Sequence, residues 1–324
     1  MMTRFVSISF LVSGLYVIAM RLLFPLMPGD VDGGSMLMNV LKLIFGILPD
    51  NPVKPFLEGN TLQIVFMALM VAAALLLAGS SAENLRLGIV QAQKVVMTCV
   101  MLACVLLPVY VFCSLVVQFW ENGPEVFLLL WEPVAAVAGL ALAGMAVYLV
   151  ITCRKLKVKI SVLLPKLLPD YIIGLTTASS SAAFATTMDI NENKLGIDPA
   201  YSLTAVPIGT MLFAGSSTLL YLGVVVFLAD RYGVKADAGW WIILWIVCTL
   251  FTMATPPVSG GAVSCLSVLI VQMGIPQEAA AICATATIFL DFLTTSSRIF
   301  MSHLETLLQA DRLGLLNREI LQKK

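Results

Sequence analysis

The stretch Ile160–Met188, ISVLLPKLLPDYIIGLTTASSSAAFATTM, decides the fold. Its first arm, Ile160–Thr177, is long enough to enter a bilayer. It runs into Ala178-Ser179-Ser180-Ser181-Ala182-Ala183, and a second apolar arm then ends at Met188. Two arms of half-span length around a serine-rich tip form a re-entrant hairpin. Lipid offers free N–H and C=O groups no partners, so non-helical backbone at membrane depth survives only where protein or a water-filled cavity covers it. This tip is expected to line something polar.

The rest of the chain agrees with a membrane setting. Of its 324 residues 60% are apolar and 12% charged, and the mean hydropathy is +0.97, which rules out a cytosolic enzyme. Nineteen basic residues balance nineteen acidic ones, so the electrostatic footprint of a nucleic-acid binder is missing. Cys99, Cys104, Cys113, Cys153, Cys248, Cys265 and Cys283 sit mostly in apolar runs without C-x-x-C spacing and read as free thiols. Phe5–Met27 is too long for a signal-peptide core and has no small-residue cleavage site; it is a first membrane helix.

Between that helix and the hairpin the chain alternates spans with turns. Pro28–Gly34 is an acidic loop, Met36–Leu48 is too short to cross, and Thr61–Ala78 finishes the crossing, so Met36–Ala78 reads as one broken span. Leu85–Phe119 and Phe127–Thr152 are the next two spans, closed by Glu121-Asn122-Gly123-Pro124 and by the basic run Arg154–Lys159. Cytoplasmic loops retain Lys and Arg. The basic run therefore lies inside, as do the N-terminus, Arg86 and Lys94, while Asp30, Asp32, Glu121 and Glu125 lie outside.

Beyond the hairpin, Tyr201–Leu228 is a span interrupted at Gly209 and at Ala214-Gly215-Ser216-Ser217-Thr218. Trp240–Ala254, the tip Thr255–Gly261 and Ala262–Gly274 repeat the hairpin pattern. Two such interruptions in corresponding places mark a secondary transporter's binding site. The last span, about Glu278–Met301, carries Asp291, Thr294, Thr295, Ser296, Ser297 and Arg298. An arginine at helix centre costs at least ~2.5–3.5 kcal/mol on insertion scales, so it must face a partner or a ligand. Asp291 and Arg298 lie close to two turns apart and share one face, which fits either a salt bridge or a solute site. The fold class is all-α integral membrane protein, with six transmembrane helices and two re-entrant hairpins. Residues 1–27 form the first helix, 28–159 the broken span and two helices, and 160–324 a transport core with hairpins at about 160–190 and 240–275, a last helix at about 278–302 and a cytoplasmic tail.

This order resembles the dicarboxylate/amino acid:cation symporter family, which includes the excitatory amino acid transporters and archaeal aspartate transporters. Pro49-Asp50-Asn51-Pro52 and Glu58-Gly59-Asn60-Thr61-Leu62-Gln63 look like the family's loop and start of its fourth helix. Ser179-Ser180-Ser181 matches the serine triplet of its first hairpin. Thr187-Met188, Gly196-Ile197, Tyr201-Ser202 and Pro207-Ile208-Gly209 follow its track into the seventh helix, and Ser259-Gly260-Gly261-Ala262 and Met273-Gly274-Ile275-Pro276 resemble the second hairpin.

The resemblance implies a glutamate-transporter-like fold in which the two tips enclose a small anionic or zwitterionic solute, a dicarboxylate or amino acid. It implies solute contacts at Ser179, Ser180, Ser181, Ser259, Gly260, Gly261, Thr294, Thr295 and Arg298, and cation contacts at Gly209, Ser216, Ser217, Asp291 and Ser302. It further implies alternating access gated by the second hairpin, coupling to sodium or protons with no cofactor, a homotrimer in the plasma (inner) membrane and cytoplasmic termini.

Three departures accompany the likeness. The family's Asn-Met-Asp-Gly-Thr in the seventh helix is here Phe213-Ala214-Gly215-Ser216-Ser217, or Ala214–Thr218 with one residue inserted, and both the asparagine and the aspartate are gone. In the last helix, one register places Arg298 on the solute arginine, Asp291 on a cation-site aspartate and Thr295 where an amino-group aspartate belongs, implying a dicarboxylate without an amino group; the other makes Asp291 the amino-group partner and puts Thr294 at the arginine's place. Finally, the chain starts at what looks like the family's third helix, which implies a shortened reading frame or a reduced scaffold.

Other chemistries are weaker. His303, the single histidine, is expected at the inner membrane interface beside Glu305, with a proton-coupling role as the alternative. An intramembrane serine hydrolase lacks a Gly-x-Ser-x-Gly elbow around Ser259, and neither a His-Glu-x-x-His nor a phosphate-binding loop is present. An uncoupled or inactive relative, or a channel-like protein, remains the alternative to a transporter.

Overall fold

The computed structural model describes residues 1–27, 48–58, 61–104, 109, 113, 116, 120, 125–255, 261–276 and 279–323. These divide into two units, one of Asp30–Val117 and one of Met1–Gly29 with Gln118–Lys324. Among the described residues five segments are long and apolar enough to cross a membrane: Met2–Leu23, Phe66–Ala92, Trp131–Leu156, Ile160–Thr177 and Pro199–Arg231, with Ala238–Ala254 as a shorter apolar helix. The described chain is nearly all helical.

In the larger unit α1 spans Met2–Leu23. In the smaller unit the Asn51 side chain accepts from the Val53 N–H at 2.8 Å and opens α2, Lys54–Glu58. α3, Thr61–Ala78, passes through a 3-10 turn at Gly79–Ala82 into α4, Glu83–Cys104. Gly79 takes φ +58°, a conformation that L side chains rarely adopt, and so marks the turn. The expected loop at Pro28–Gly34 and nearly all of Met36–Leu48 lie outside the described residues.

The larger unit continues with α5, Glu125–Leu156, and α6, Ile160–Thr177. A serine turn leads into α7, Phe184–Asp189, which runs on as a π-helical turn at Ile190–Lys194. α8, Pro199–Leu212, is capped by the Asp198 carboxylate, which accepts from the Tyr201 N–H. A 3-10 turn at Gly215–Ser217 separates α8 from α9, Thr218–Arg231. α10, Ala238–Ala254, and α11, Gly261–Gln272, are the arms of the second hairpin-like segment; positions 256–260 between them lie outside the described residues. α12, Ala279–Arg312, and α13, Arg318–Gln322, complete the chain.

α12 is the axis of this unit and packs against α5, α6, α8, α9, α11 and the 3-10 turn. Lipid is as apolar as leucine, so association of membrane helices rests on close packing and interhelical hydrogen bonds. Leu163 and Leu167 of α6, Ile190 of the π turn, and Phe300, Leu304 and Leu307 of α12 form one buried cluster with Leu149 of α5. At Gly174 an added Cβ would lie 2.8 Å from the Ser296 Cα, so only glycine lets α6 and α12 approach this closely. Phe5 of α1, Phe213 and Met301 form a second cluster. Arg4 pairs with the fully buried Glu305, which also holds the Tyr148 hydroxyl and accepts from Gln309 Nε2 at 2.9 Å, so α1, α5 and α12 meet on one carboxylate.

Two boundaries differ from those read in the sequence. Gly209 does not interrupt its helix: α8 passes through it and breaks only after Leu212. The last helix does not stop near Met301 but continues to Arg312, because Leu304, Leu307 and Leu308 are still core residues. His303 is 1% exposed and enclosed by polar partners from the first hairpin.

Candidate solute site

The site is built where three helices stop. α6 ends at Thr177 with Ala178 in the left-handed conformation, its N–H donating to the Gly174 carbonyl at 2.9 Å. The Ser179 N–H donates to Thr177 Oγ1, and the Ser179 hydroxyl accepts from the Ala182 N–H, both at 3.2 Å. The first serine thus shapes the turn, and the second is presented inward. Ser180 Oγ accepts from Arg298 Nη2 at 2.7 Å, with both residues buried.

The break after α8 is satisfied by neighbouring helices. Ser9 of α1 accepts from the Ala214 N–H at 2.8 Å, and Gly215 adopts φ +46°. The Ser216 and Ser217 hydroxyls both donate to the Thr294 carbonyl of α12 at 3.3 Å. On α12 itself Thr294 Oγ1 donates to the Leu290 carbonyl, and Thr295 Oγ1 to Asp291 Oδ1, both at 2.9 Å.

Ser180, Ser217, Asp291, Thr294, Thr295 and Arg298, all singled out in the sequence, line one cavity. Tyr221, Thr252 and Thr255, which were not, complete its wall with Ala262. Arg298 and Ser180 also line a second cavity, which contains Gly209 and Ser302 along with Asn191 and His303. No carboxylate lines that second cavity, so the expected cation contacts Gly209 and Ser302 share their space with a guanidinium instead. Ser181 is not in either lining, Ser216 is buried behind the first cavity, and Gly261 begins α11 beside Ala262. Ser259 and Gly260 lie outside the described residues.

Thr187, Asn191 and His303 of the second cavity form a buried cluster with Asp170, of which sequence reasoning singled out only the histidine. His303 Nε2 lies 2.6 Å from Asp170 Oδ2, its Nδ1 lies 2.8 Å from Asn191 Oδ1, and Thr187 Oγ1 donates to Asp170 Oδ2 at 2.5 Å. The histidine thereby ties both arms of the first hairpin to α12, five residues beyond Arg298. A signal existed, since Asp170 is the one acidic side chain of a mostly apolar arm and intramembrane carboxylates need partners.

A multi-pass helical membrane chain with a polar site assembled from helix ends is the class of protein these features define. The sequence model of the sodium:dicarboxylate symporter family matches residues 10–310, and the chain belongs to that family, one of transporters and not of enzymes. It is 22% identical over 243 residues to an excitatory amino acid transporter of Caenorhabditis elegans, covering 74% of this chain and 48% of that protein. With C4-dicarboxylate transport protein 1 of Bradyrhizobium sp. (strain ORS 278) it shares 22% identity over 223 residues, 69% of this chain and 51% of the relative. With excitatory amino acid transporter 2 of Homo sapiens it shares 23% over 129 residues, 40% and 22% of the two chains. The chain spans about half the length of the first two of these relatives.

Proposed function

We propose that this chain is the solute-binding part of a secondary active transporter for small carboxylate-bearing solutes, with cation coupling and alternating access. In this reading six helices cross the membrane, the segments at about 160–190 and 240–275 are re-entrant, and the second of these is the gate. The protein is a homotrimer of the plasma (inner) membrane with cytoplasmic termini, and the coupling ion, sodium or a proton, travels as a co-substrate.

The observation that carries the reading is Arg298, a buried guanidinium fixed by Ser180 at the wall of a polar cavity. A planar guanidinium can grip a carboxylate with two parallel hydrogen bonds, and lysine cannot reproduce that geometry. Asp291 lines the same cavity, so its two charged walls sum to zero. Added charge in a low-dielectric site is costly unless paired. An α-amino acid sets its carboxylate on Arg298 and its ammonium near Asp291, whereas a dicarboxylate brings two negative charges to a guanidinium already opposed by one. This favours an α-amino acid over a dicarboxylate without an amino group.

Uptake into proteoliposomes tests the proposal. Labelled serine, aspartate and succinate are offered under a sodium gradient, a proton gradient or neither. Accumulation of an amino acid under one gradient supports the reading; no accumulation of any solute under either gradient overturns it.

A further inference from the structure

We propose that Ala178 is a specificity-determining residue, whose methyl group forms the cavity wall beside Ser180 and limits the length of the solute that Arg298 holds. The inference rests on the reading of that cavity as a solute site and adds a size limit to it.

Ala178 ends α6 with φ 48° and ψ 32°, in the left-handed region. An L side chain there crowds the following carbonyl, and glycine is the residue that helices commonly place at this position. The chain follows that preference elsewhere. Six glycines take a positive φ among the described residues, and only two other residues do, Lys157 and Ala178. Lys157 is exposed in the basic run after α5. Ala178 is 3% exposed and lines the cavity together with Ser180, Asp291 and Arg298.

Glycine would serve the turn as well as alanine does. The Ala178 N–H that donates to the Gly174 carbonyl at 2.9 Å is backbone, and the next turn is held by Thr177 and Ser179. The side chain is therefore dispensable for the shape of the tip, and what it adds is bulk. Ser180, two residues on, anchors the guanidinium, so the methyl stands on the same tip as the arginine's partner. A solute carboxylate seated on Arg298 lies against this tip, and the methyl occupies the room that one more methylene of the solute would need. One methylene in an apolar pocket is worth about 10-fold or more in discrimination. The solute class this wall fits is a short α-amino acid, of the length of serine or aspartate.

Equilibrium binding to the purified full chain is measured for serine against homoserine and for aspartate against glutamate, pairs that differ by one methylene, and thermal unfolding is followed alongside. Wild type is expected to bind the shorter member more tightly. In Ala178→Gly that preference should fall about 3–10-fold while Tm holds or rises, since glycine relieves the left-handed turn and removes no core packing. Ala178→Asn, a side chain that left-handed backbone tolerates, fills the space and should weaken binding of both members. An unchanged preference in Ala178→Gly overturns the size limit. A lowered Tm overturns it too, because the methyl would then be packing the core and not facing the cavity. Wild-type protein that binds none of the four solutes removes the solute-site reading and the size limit with it, whereas binding with an unchanged preference in the variant removes the size limit alone.

Discussion

Arg298 and Ser180 lie 118 positions apart in sequence, yet the guanidinium of one donates to the hydroxyl of the other at 2.7 Å. This contact joins the tip of the first hairpin to the middle of the last helix, and most of the candidate site follows from it. Without it the arginine would be a buried cation with one fewer partner. With it, the remaining guanidinium donors are held at the cavity wall before any solute arrives, which lowers the cost of binding.

On the proposed function, the pair of charges in that cavity is expected to set selectivity. Asp291→Asn keeps the size and loses the charge, so discrimination between aspartate and succinate, which differ by the amino group, is expected to fall about 10–100-fold, the worth of one charge-assisted hydrogen bond. Competition of each solute against labelled aspartate in wild type and variant measures it. Equal discrimination in both would remove Asp291 from the solute site.

The close approach at Gly174 predicts a packing defect. Gly174→Ala sets a methyl 2.8 Å from the Ser296 backbone and forces α6 away from α12, with an expected loss of about 1–3 kcal/mol. Thermal unfolding of the detergent-solubilised protein should show a lower Tm. Gly139→Ala, where an added Cβ meets nothing within 4 Å, is the matched control and should leave Tm unchanged.

The His303 cluster predicts a non-additive pair. Asp170→Leu leaves the ring nitrogen of His303 without its carboxylate in a buried site, a cost of about 1–3 kcal/mol. Replacing both residues by leucine removes the orphaned group as well, so the double variant should be more stable than the sum of the two single losses. Unfolding midpoints of the four proteins decide it, and strict additivity would mean that the contact contributes nothing.

Glu305 gathers partners from three helices. Glu305→Leu leaves Arg4, the Tyr148 hydroxyl and Gln309 without their common acceptor, and should loosen α1 more than α6. Hydrogen–deuterium exchange should rise in peptides of residues 2–23 and stay level in those of residues 160–177.

The first arm of the hairpin was legible to the residue, because Ile160–Thr177 is an apolar stretch bounded by a basic run and a serine run. The cavity wall on α12 was legible for a similar reason: Asp291, Thr294, Thr295 and Arg298 are conspicuous in apolar company and recur at helical spacing. Tyr221 and Thr252 escaped notice because a tyrosine or threonine in a membrane helix is ordinary, and only the fold shows which way it faces. Gly209 misled for the opposite reason. Glycine is a weak breaker inside a packed helix, and here its missing side chain makes room for Ser302 Oγ, which would lie 3.0 Å from an added Cβ. The end of α12 was set too early, and the partners of His303 could not be read because Asp170 and Asn191 come from another element.

The most direct test of the account is equilibrium binding of labelled aspartate to the purified protein, wild type against Arg298→Lys, a change that keeps the charge and removes the planar fork. The account predicts that the substitution weakens binding by about 10-fold or more, in line with the loss of a charge-assisted contact of about 1.5–3 kcal/mol. Wild-type affinity in the Arg298→Lys protein would contradict it.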